Sequence, residues 1–98
     1  MQVAQTILQQ LGGNRFTAMT GAKNFVAGES LLQFSLPSNF AQNKANRVVV
    51  KLEATDTYAV EFYFSRGVNS RKISEHSMIY ADMLRKLFVE ETGLQVSL

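Results

Sequence analysis

A chain of 98 residues is long enough to bury one hydrophobic core, so we expect a single domain over residues 1–98. It contains no cysteine, which excludes disulfides, thiolate nucleophiles and cysteine-based zinc sites. A net charge of +2 is too small to indicate a nucleic-acid binder, and the lack of a signal-peptide pattern or long apolar run favours a cytoplasmic protein without a membrane segment.

The first predicted element is an amphipathic helix over residues 2–11. Its apolar residues recur at helical spacing: Val3, Ile7, Leu8 and Leu11. Gly12 and Gly13 should end this helix, because two glycines are poor helix formers. Residues 15–20 (RFTAMT) have strand propensity and are assigned to the first strand, after which a loop opens at Gly21.

Residues 31–36 form the second predicted strand. Leu32, Phe34 and Leu36 alternate with polar residues, which is typical of a strand with one buried face. Pro37 ends the strand because it has no backbone N–H to donate to a neighbouring strand.

The clearest pattern is a hairpin over residues 46–66, with a turn at residues 55–57. Even-numbered positions on both strands form an apolar row: Val48, Val50, Leu52, Ala54, Tyr58, Val60, Phe62 and Phe64. Period-2 alternation predicts that this row packs inward and that the odd-numbered side chains form an outer face. A three-residue loop, with position 54 opposite 58, would place Lys51 opposite Glu61 and Val49 opposite Tyr63.

The last predicted element is a helix over residues 77–92, preceded by a turn at 67–70. Residues 71–75 could form a short extra strand. Its apolar stripe comprises Ile79, Tyr80, Met83, Leu84, Leu87 and Phe88, and Gly93 should form its C-cap. The expected fold class is therefore α+β: an N-terminal helix, a four-stranded antiparallel meander, and a C-terminal helix packed on one sheet face.

Nothing in the sequence indicates catalysis, a metal site or a cofactor. His76 is the only histidine, and although Glu75 lies next to it in the sequence, nothing indicates the positioned partner that a general base needs. Glu90 and Glu91 are adjacent on the predicted helix and so should point in different directions. We therefore expect a protein that is not an enzyme.

The outer sheet face suggests a binding function. Residues 1–52 contain five basic side chains and one acidic side chain, whereas residues 53–98 contain five basic and seven acidic ones. Cations on an open sheet face can bind phosphates, and an exposed aromatic ring can stack on an unpaired base. The residues expected to contact nucleic acid are Arg15, Lys23, Lys44, Arg47, Lys51 and Tyr63. The competing interpretation is an ordinary solvated face or a dimer surface.

Two segments carry a resemblance. LGGNRFTAMTGAKNF (residues 11–25) and the later IYADMLRKLF and TGLQVSL resemble small uncharacterised proteins encoded by bacteriophages and prophages. This resemblance covers most of the chain and implies a viral or mobile-element origin and action in the cytoplasm of a bacterial host. A weaker architectural likeness is to the single-stranded-DNA-binding coactivator fold, which is usually dimeric. The N-terminal helix and the low basic content depart from that fold.

Two functions follow as expectations. The first is a non-enzymatic phage-type accessory protein that binds nucleic acid, preferably single-stranded, through the basic sheet face. The alternative is a protein-binding inhibitor or regulator of a host complex, such as a defence system, with Met19, Phe25 and Phe40 as candidate contacts. In either case we expect a homodimer, formed through a sheet face or the C-terminal helix.

Overall fold

A five-stranded antiparallel sheet with helices on one face makes up the fold, as a computed structural model of residues 2–37, 44–66 and 68–94 describes it. The elements are α1 (Gln2–Leu11), α2 (Gly13–Thr20), β1 (Lys23–Ala27), β2 (Leu31–Ser35), β3 (Arg47–Leu52), β4 (Tyr58–Arg66), β5 (Asn69–Ile79), a 3-10 turn (Ala81–Met83) and α3 (Leu84–Thr92). The strands neighbour one another in chain order. The α+β class is confirmed, but the sheet has five strands rather than four.

The N-terminal region is helical throughout, so the predicted strand at residues 15–20 is wrong. Helix α1 ends at Leu11 as expected, but the chain then enters α2. The helical turn places Phe16 and Thr20 on one buried side, and the ring of Phe16 lies 5.4 Å from that of Phe34 and 5.1 Å from that of Phe88. This packing outweighs the weak strand propensity of the segment.

The central hairpin is confirmed, but its register differs from the prediction by two residues. Position 52 pairs with 58, and position 50 with 60, because the connecting loop comprises residues 53–57. Within it the Thr57 carbonyl accepts a hydrogen bond from the Glu53 N–H, and Asp56 adopts a left-handed conformation with φ 63°. A shift of two residues keeps the side chains of both strands on their predicted faces, but Ala54 of the predicted core row lies exposed in the loop.

The two outermost strands lie where other structure was expected. Strand β1 occupies a segment predicted as a loop, and β5 extends through Ile79, so the predicted helix at 77–92 begins only at Leu84. Pairing with β4 holds this segment extended up to Ile79, which lies opposite Tyr58. Within the predicted apolar stripe Leu84 and Phe88 are buried, whereas Tyr80 and Met83 are exposed.

The core lies between the sheet and the helices, and the even-numbered row of the central strands forms its floor. Side chains from α1, α2 and α3 pack on this row. Phe16, Phe34, Phe62 and Phe88 form an aromatic cluster with centroid distances of 5.1–6.5 Å. The opposite sheet face has no helix on it in the described part of the chain. None of the described helices is long and apolar enough to cross a membrane.

Replacing Phe16 tests the helical assignment of residues 13–20. Because its ring is completely buried between Phe34 and Phe88, Phe16→Ala should lower the free energy of unfolding by about 3–5 kcal/mol. Urea denaturation followed by circular dichroism measures this loss. Val68→Ala, at a fully exposed position, is the control and should change stability by less than about 0.5 kcal/mol. Equal effects of the two substitutions would contradict the packing described here.

Candidate nucleic-acid interface

Odd-numbered residues of β2, β3 and β4 form the outer face of the sheet, together with Lys72 of β5. One row crosses all five strands in register and comprises Lys23, Ser35, Arg47, Tyr63 and Lys72. Directly paired residues of neighbouring strands point to the same side of a sheet. This row therefore collects three cations and one aromatic ring that are far apart in the sequence.

A shallow concavity of about 270 Å³ lies on this face. It is lined by Leu31, Gln33, Arg47, Val49, Lys51, Glu61, Tyr63 and Ser70. The lining combines two cations, one acid and one aromatic ring with polar and apolar surface. Such a surface can contact a polar ligand, but it is not uniformly basic.

Glu61 organises the centre of the outer face. Its carboxylate accepts a hydrogen bond from the Tyr63 hydroxyl at 2.7 Å and lies 3.4 Å from the Lys51 ammonium and 3.6 Å from that of Lys72. Burial acts to raise the pKa of Glu61, but the Tyr63 hydrogen bond and the two lysines outweigh it and leave that pKa lowered. The same hydrogen bond raises the pKa of Tyr63.

The network limits what the centre of the face can offer to a ligand. Lys51 and Lys72 already have a carboxylate partner, and the hydroxyl of Tyr63 is already engaged. A phosphate at this position would have to compete with Glu61 and would be repelled by its charge. Lys72 also pairs with Glu75 at 3.2 Å, so two lysines face two carboxylates and the local charge at the centre of the outer face is nearly neutral.

The structure gives the six predicted site residues three different placements. Arg47, Lys51 and Tyr63 share the outer face as expected, and Lys23 joins them as the first residue of β1. Lys44 is exposed and leads into β3. The placement of Arg15 on this face is wrong: it lies in α2, beside Phe16 of the core on the helical side.

Most of the basic side chains lie at one end of the sheet. Strands β1, β3 and β5 begin at this end and β2 and β4 finish there, because the meander is antiparallel. Six of the ten Lys and Arg residues lie there: Lys23, Lys44, Arg47, Arg66, Arg71 and Lys72. We call this set the basic end. The opposite end carries Glu29, Glu53 and Asp56.

Three cations of the basic end were not predicted as site residues. Arg66 and Arg71 flank the β4–β5 turn, and Lys72 belongs to a strand that was predicted to be short or absent. The predicted turn at residues 67–70 could have indicated Arg66 and Arg71, because a turn brings the residues on its two sides close together. Within the described residues, Arg47, Arg66 and Arg71 make no ion pair or hydrogen bond through their guanidinium groups.

A separate polar cluster lies between β5 and α3. The Glu91 carboxylate accepts hydrogen bonds from the Ser74 hydroxyl and, at 3.0 Å, from His76 Nε2. These contacts lower the pKa of Glu91, that from Ser74 most. Both partners share one carboxylate oxygen, so the serine-to-histidine contact that activates a nucleophile is not formed. In the described ranges no three His, Asp or Glu side chains could together hold a metal ion.

Comparison with known proteins does not assign the chain to a family. No protein-family model, no curated protein and no solved structure matches it. The likeness to phage proteins and to the coactivator fold therefore stays a prediction from the sequence. Evidence on the function therefore comes from the arrangement of charges on the outer face and at the basic end.

Substituting Glu61 should produce a pH-dependent loss of stability. At pH 7 the fold stabilises the ionised carboxylate, so Glu61→Gln should lower the free energy of unfolding by about 1–2 kcal/mol. Because the folded-state pKa is below the ordinary value of 4.5, the wild-type advantage should be full above that pH and disappear as the pH falls through the folded pKa. Urea denaturation over a pH series measures it. An advantage that persists at the lowest pH would contradict the network, and Glu53→Gln, at an exposed loop position, is the control.

Proposed function

We propose that this protein binds nucleic acid, preferably single-stranded, through the basic end and the adjoining outer face. The observation that carries the proposal is the clustering of six of the ten cations at one end of the sheet, with no acidic residue among the strand ends there. Phosphate groups are the usual ligands of such clusters, and they supply most of the affinity of nucleic-acid binders that lack sequence specificity. A net charge of +2 is compatible with this function because the charges are segregated.

The spacing of the cations supports binding along a strand of nucleic acid. Neighbouring strands of a sheet are about 4.8 Å apart, so Lys23 on β1, Arg47 on β3 and Lys72 on β5 lie at intervals of about 10 Å across the row. Arg66 and Arg71 lie on the other face of the β4–β5 hairpin, so the cationic surface continues around the end of the sheet. A flexible single strand can follow this surface, since it can adjust its phosphate positions more easily than a duplex.

The proposal shifts the centre of the site relative to the sequence-based expectation. Lys51 and Tyr63 are tied to Glu61, so Arg47, Arg66 and Arg71 are the better phosphate ligands. Arg15 lies on the helical side and is assigned no role. A non-enzymatic accessory role in a bacterial cytoplasm rests on the phage-protein resemblance. The homodimer stays a prediction, which light scattering on the purified protein would decide.

One observation favours the alternative function of binding a host protein. Met78, Tyr80 and Met83 are 57%, 56% and 44% exposed. They lie within a stretch of six residues where β5 finishes, at the end of the sheet opposite to the basic end. Of the contacts first considered, Phe25 is 37% exposed, Met19 is half-buried on α2, and Phe40 lies outside the described residues. A host protein retained after nuclease treatment, and lost on Met78→Ser with Met83→Ser, would support this alternative.

The nucleic-acid proposal is tested with two triple variants that remove equal charge. Arg47→Gln, Arg66→Gln and Arg71→Gln together should weaken binding of a labelled oligothymidine and reduce the salt slope by about 2, since each lost phosphate contact removes about 0.7 from it. Fluorescence anisotropy at several salt concentrations measures both. The control combines Arg15→Gln, Arg85→Gln and Lys86→Gln, exposed cations of α2 and α3. It should bind with nearly the wild-type slope.

Removing a negative charge from the outer face should have the opposite effect on binding. Glu61→Gln should bind oligothymidine more tightly than the wild type, because it removes a negative charge and releases Lys51, whereas Lys72 keeps its second partner, Glu75, at 3.2 Å. Equal losses in the two triple variants would mean that only the overall charge matters. No binding of the wild type at low salt would overturn the proposal.

A further inference from the structure

A second concavity lies at the basic end, on the side of the sheet opposite to the outer face. It has a volume of about 290 Å³ and is lined by Phe64, Arg66, Asn69, Ser70 and Arg71. We call it the Phe64 pocket. Its residues come from the last part of β4 and the first part of β5.

The strand register explains why these side chains converge. Phe64 pairs directly with Arg71, and Arg66 pairs with Asn69, so each pair shares one face of the hairpin. Arg66 also lies two residues after Phe64, which puts the two on the same side of β4. An aromatic ring therefore lies beside two guanidinium groups and one amide.

Phe64 is a large aromatic residue that the core does not use. It is half-buried, and it belongs neither to the buried cluster nor to the partly buried side chains that pack against that cluster. Its neighbour two residues earlier, Phe62, is completely buried and packs against Phe88. Along β4 the apolar row thus continues to a position outside the core cluster of the described residues.

The chemistry of the pocket matches a nucleotide unit. An aromatic face stacks on a base irrespective of its sequence, and guanidinium groups bind phosphate oxygens with two parallel hydrogen bonds. The amide of Asn69 and the hydroxyl of Ser70 can donate to and accept from the edge of a base. The volume of about 290 Å³ lies just below the range for small-molecule pockets, about 300–1,000 Å³, which suits a ligand as small as a single base.

Tyr63, the aromatic residue first expected to stack, is less suited to this role. Its hydroxyl donates to Glu61, and the Lys72 ammonium lies 6.0 Å from its ring centroid. A base on Tyr63 would have to displace Lys72 and approach the Glu61 carboxylate. By contrast, the guanidinium groups of Arg66 and Arg71 beside Phe64 have no carboxylate partner among the described residues.

We infer that the Phe64 pocket takes one unpaired base of a single-stranded nucleic acid. The base stacks on Phe64, and Arg66 and Arg71 bind the phosphates on either side of it. This assignment rests on the proposed function and adds its substrate class: a strand with unstacked, accessible bases rather than a duplex. A strand bound here continues from the pocket around the end of the sheet toward Arg47.

Comparing a strand with bases and one without separates stacking from charge. Wild-type protein should bind oligothymidine about 10-fold more tightly than an abasic deoxyribose-phosphate chain of the same length, since stacking of one base contributes about 1–3 kcal/mol. Phe64→Leu should abolish this ratio by lowering the affinity for oligothymidine to that for the abasic chain. Phe25→Leu alters a partly exposed aromatic residue on β1 and should keep the full ratio. Anisotropy with both labelled chains gives the ratios.

The outcomes distinguish failure of the pocket from failure of the proposed function. If wild-type protein binds both chains equally, phosphate binding stands and the pocket assignment is overturned. If it binds neither at low salt, both are overturned. A ratio that survives Phe64→Leu also overturns the assignment.

A second measurement uses the wild-type protein alone and does not depend on the variant folding. Ultraviolet cross-linking to an oligonucleotide containing 5-bromouracil, followed by peptide mass spectrometry, should place the cross-link at Phe64. A cross-link confined to Tyr63 would overturn the assignment.

Discussion

The alternation of side chains along β3 and β4 is the constraint on which the rest of the structure depends. Because a strand is pleated, Val48, Val50 and Phe62 project toward the helices while Arg47, Lys51 and Tyr63 project away from them. The helices cover the apolar side only, so one face of the sheet is left for polar and charged residues. Both the core and the candidate interface follow from this separation.

Charge is distributed on this scaffold by topology rather than by composition. An antiparallel meander brings the starts of three strands and the ends of two together, and in this chain those positions carry six cations. In the middle of the outer face, the Glu61 carboxylate pairs with Lys51 and Lys72 and so offsets part of their positive charge. The network stabilises the centre of the face, whereas Arg47, Arg66 and Arg71 at the basic end have no carboxylate partner among the described residues, which is why we propose the binding function there.

The parity of the hairpin could be predicted from the sequence, since alternation over residues 46–66 leaves only one arrangement with an apolar side. The register could not, because it depends on the loop at 53–57, whose length the strand pattern does not determine. Residues 15–20 and 77–79 were assigned wrongly because contacts made by Phe16 and pairing with Tyr58 override local propensity. Arg15 was consequently misplaced. Arg71 and Lys72 were missed because their positions depend on β5, whereas Arg66 ends a predicted strand and could have been found from the turn at 67–70.

Single cysteines test the separation of faces most directly, since the chain has no cysteine of its own. One variant at a time would replace Leu32, Val48 or Val50 of the core row, or Gln33, Arg47 or Lys51 of the outer face. Reactivity toward a thiol reagent under native conditions should alternate along the strands, with outer positions modified rapidly and core positions only at the rate of unfolding. Comparable reactivity at neighbouring positions such as 47 and 48 would contradict the two-faced sheet and everything inferred from it.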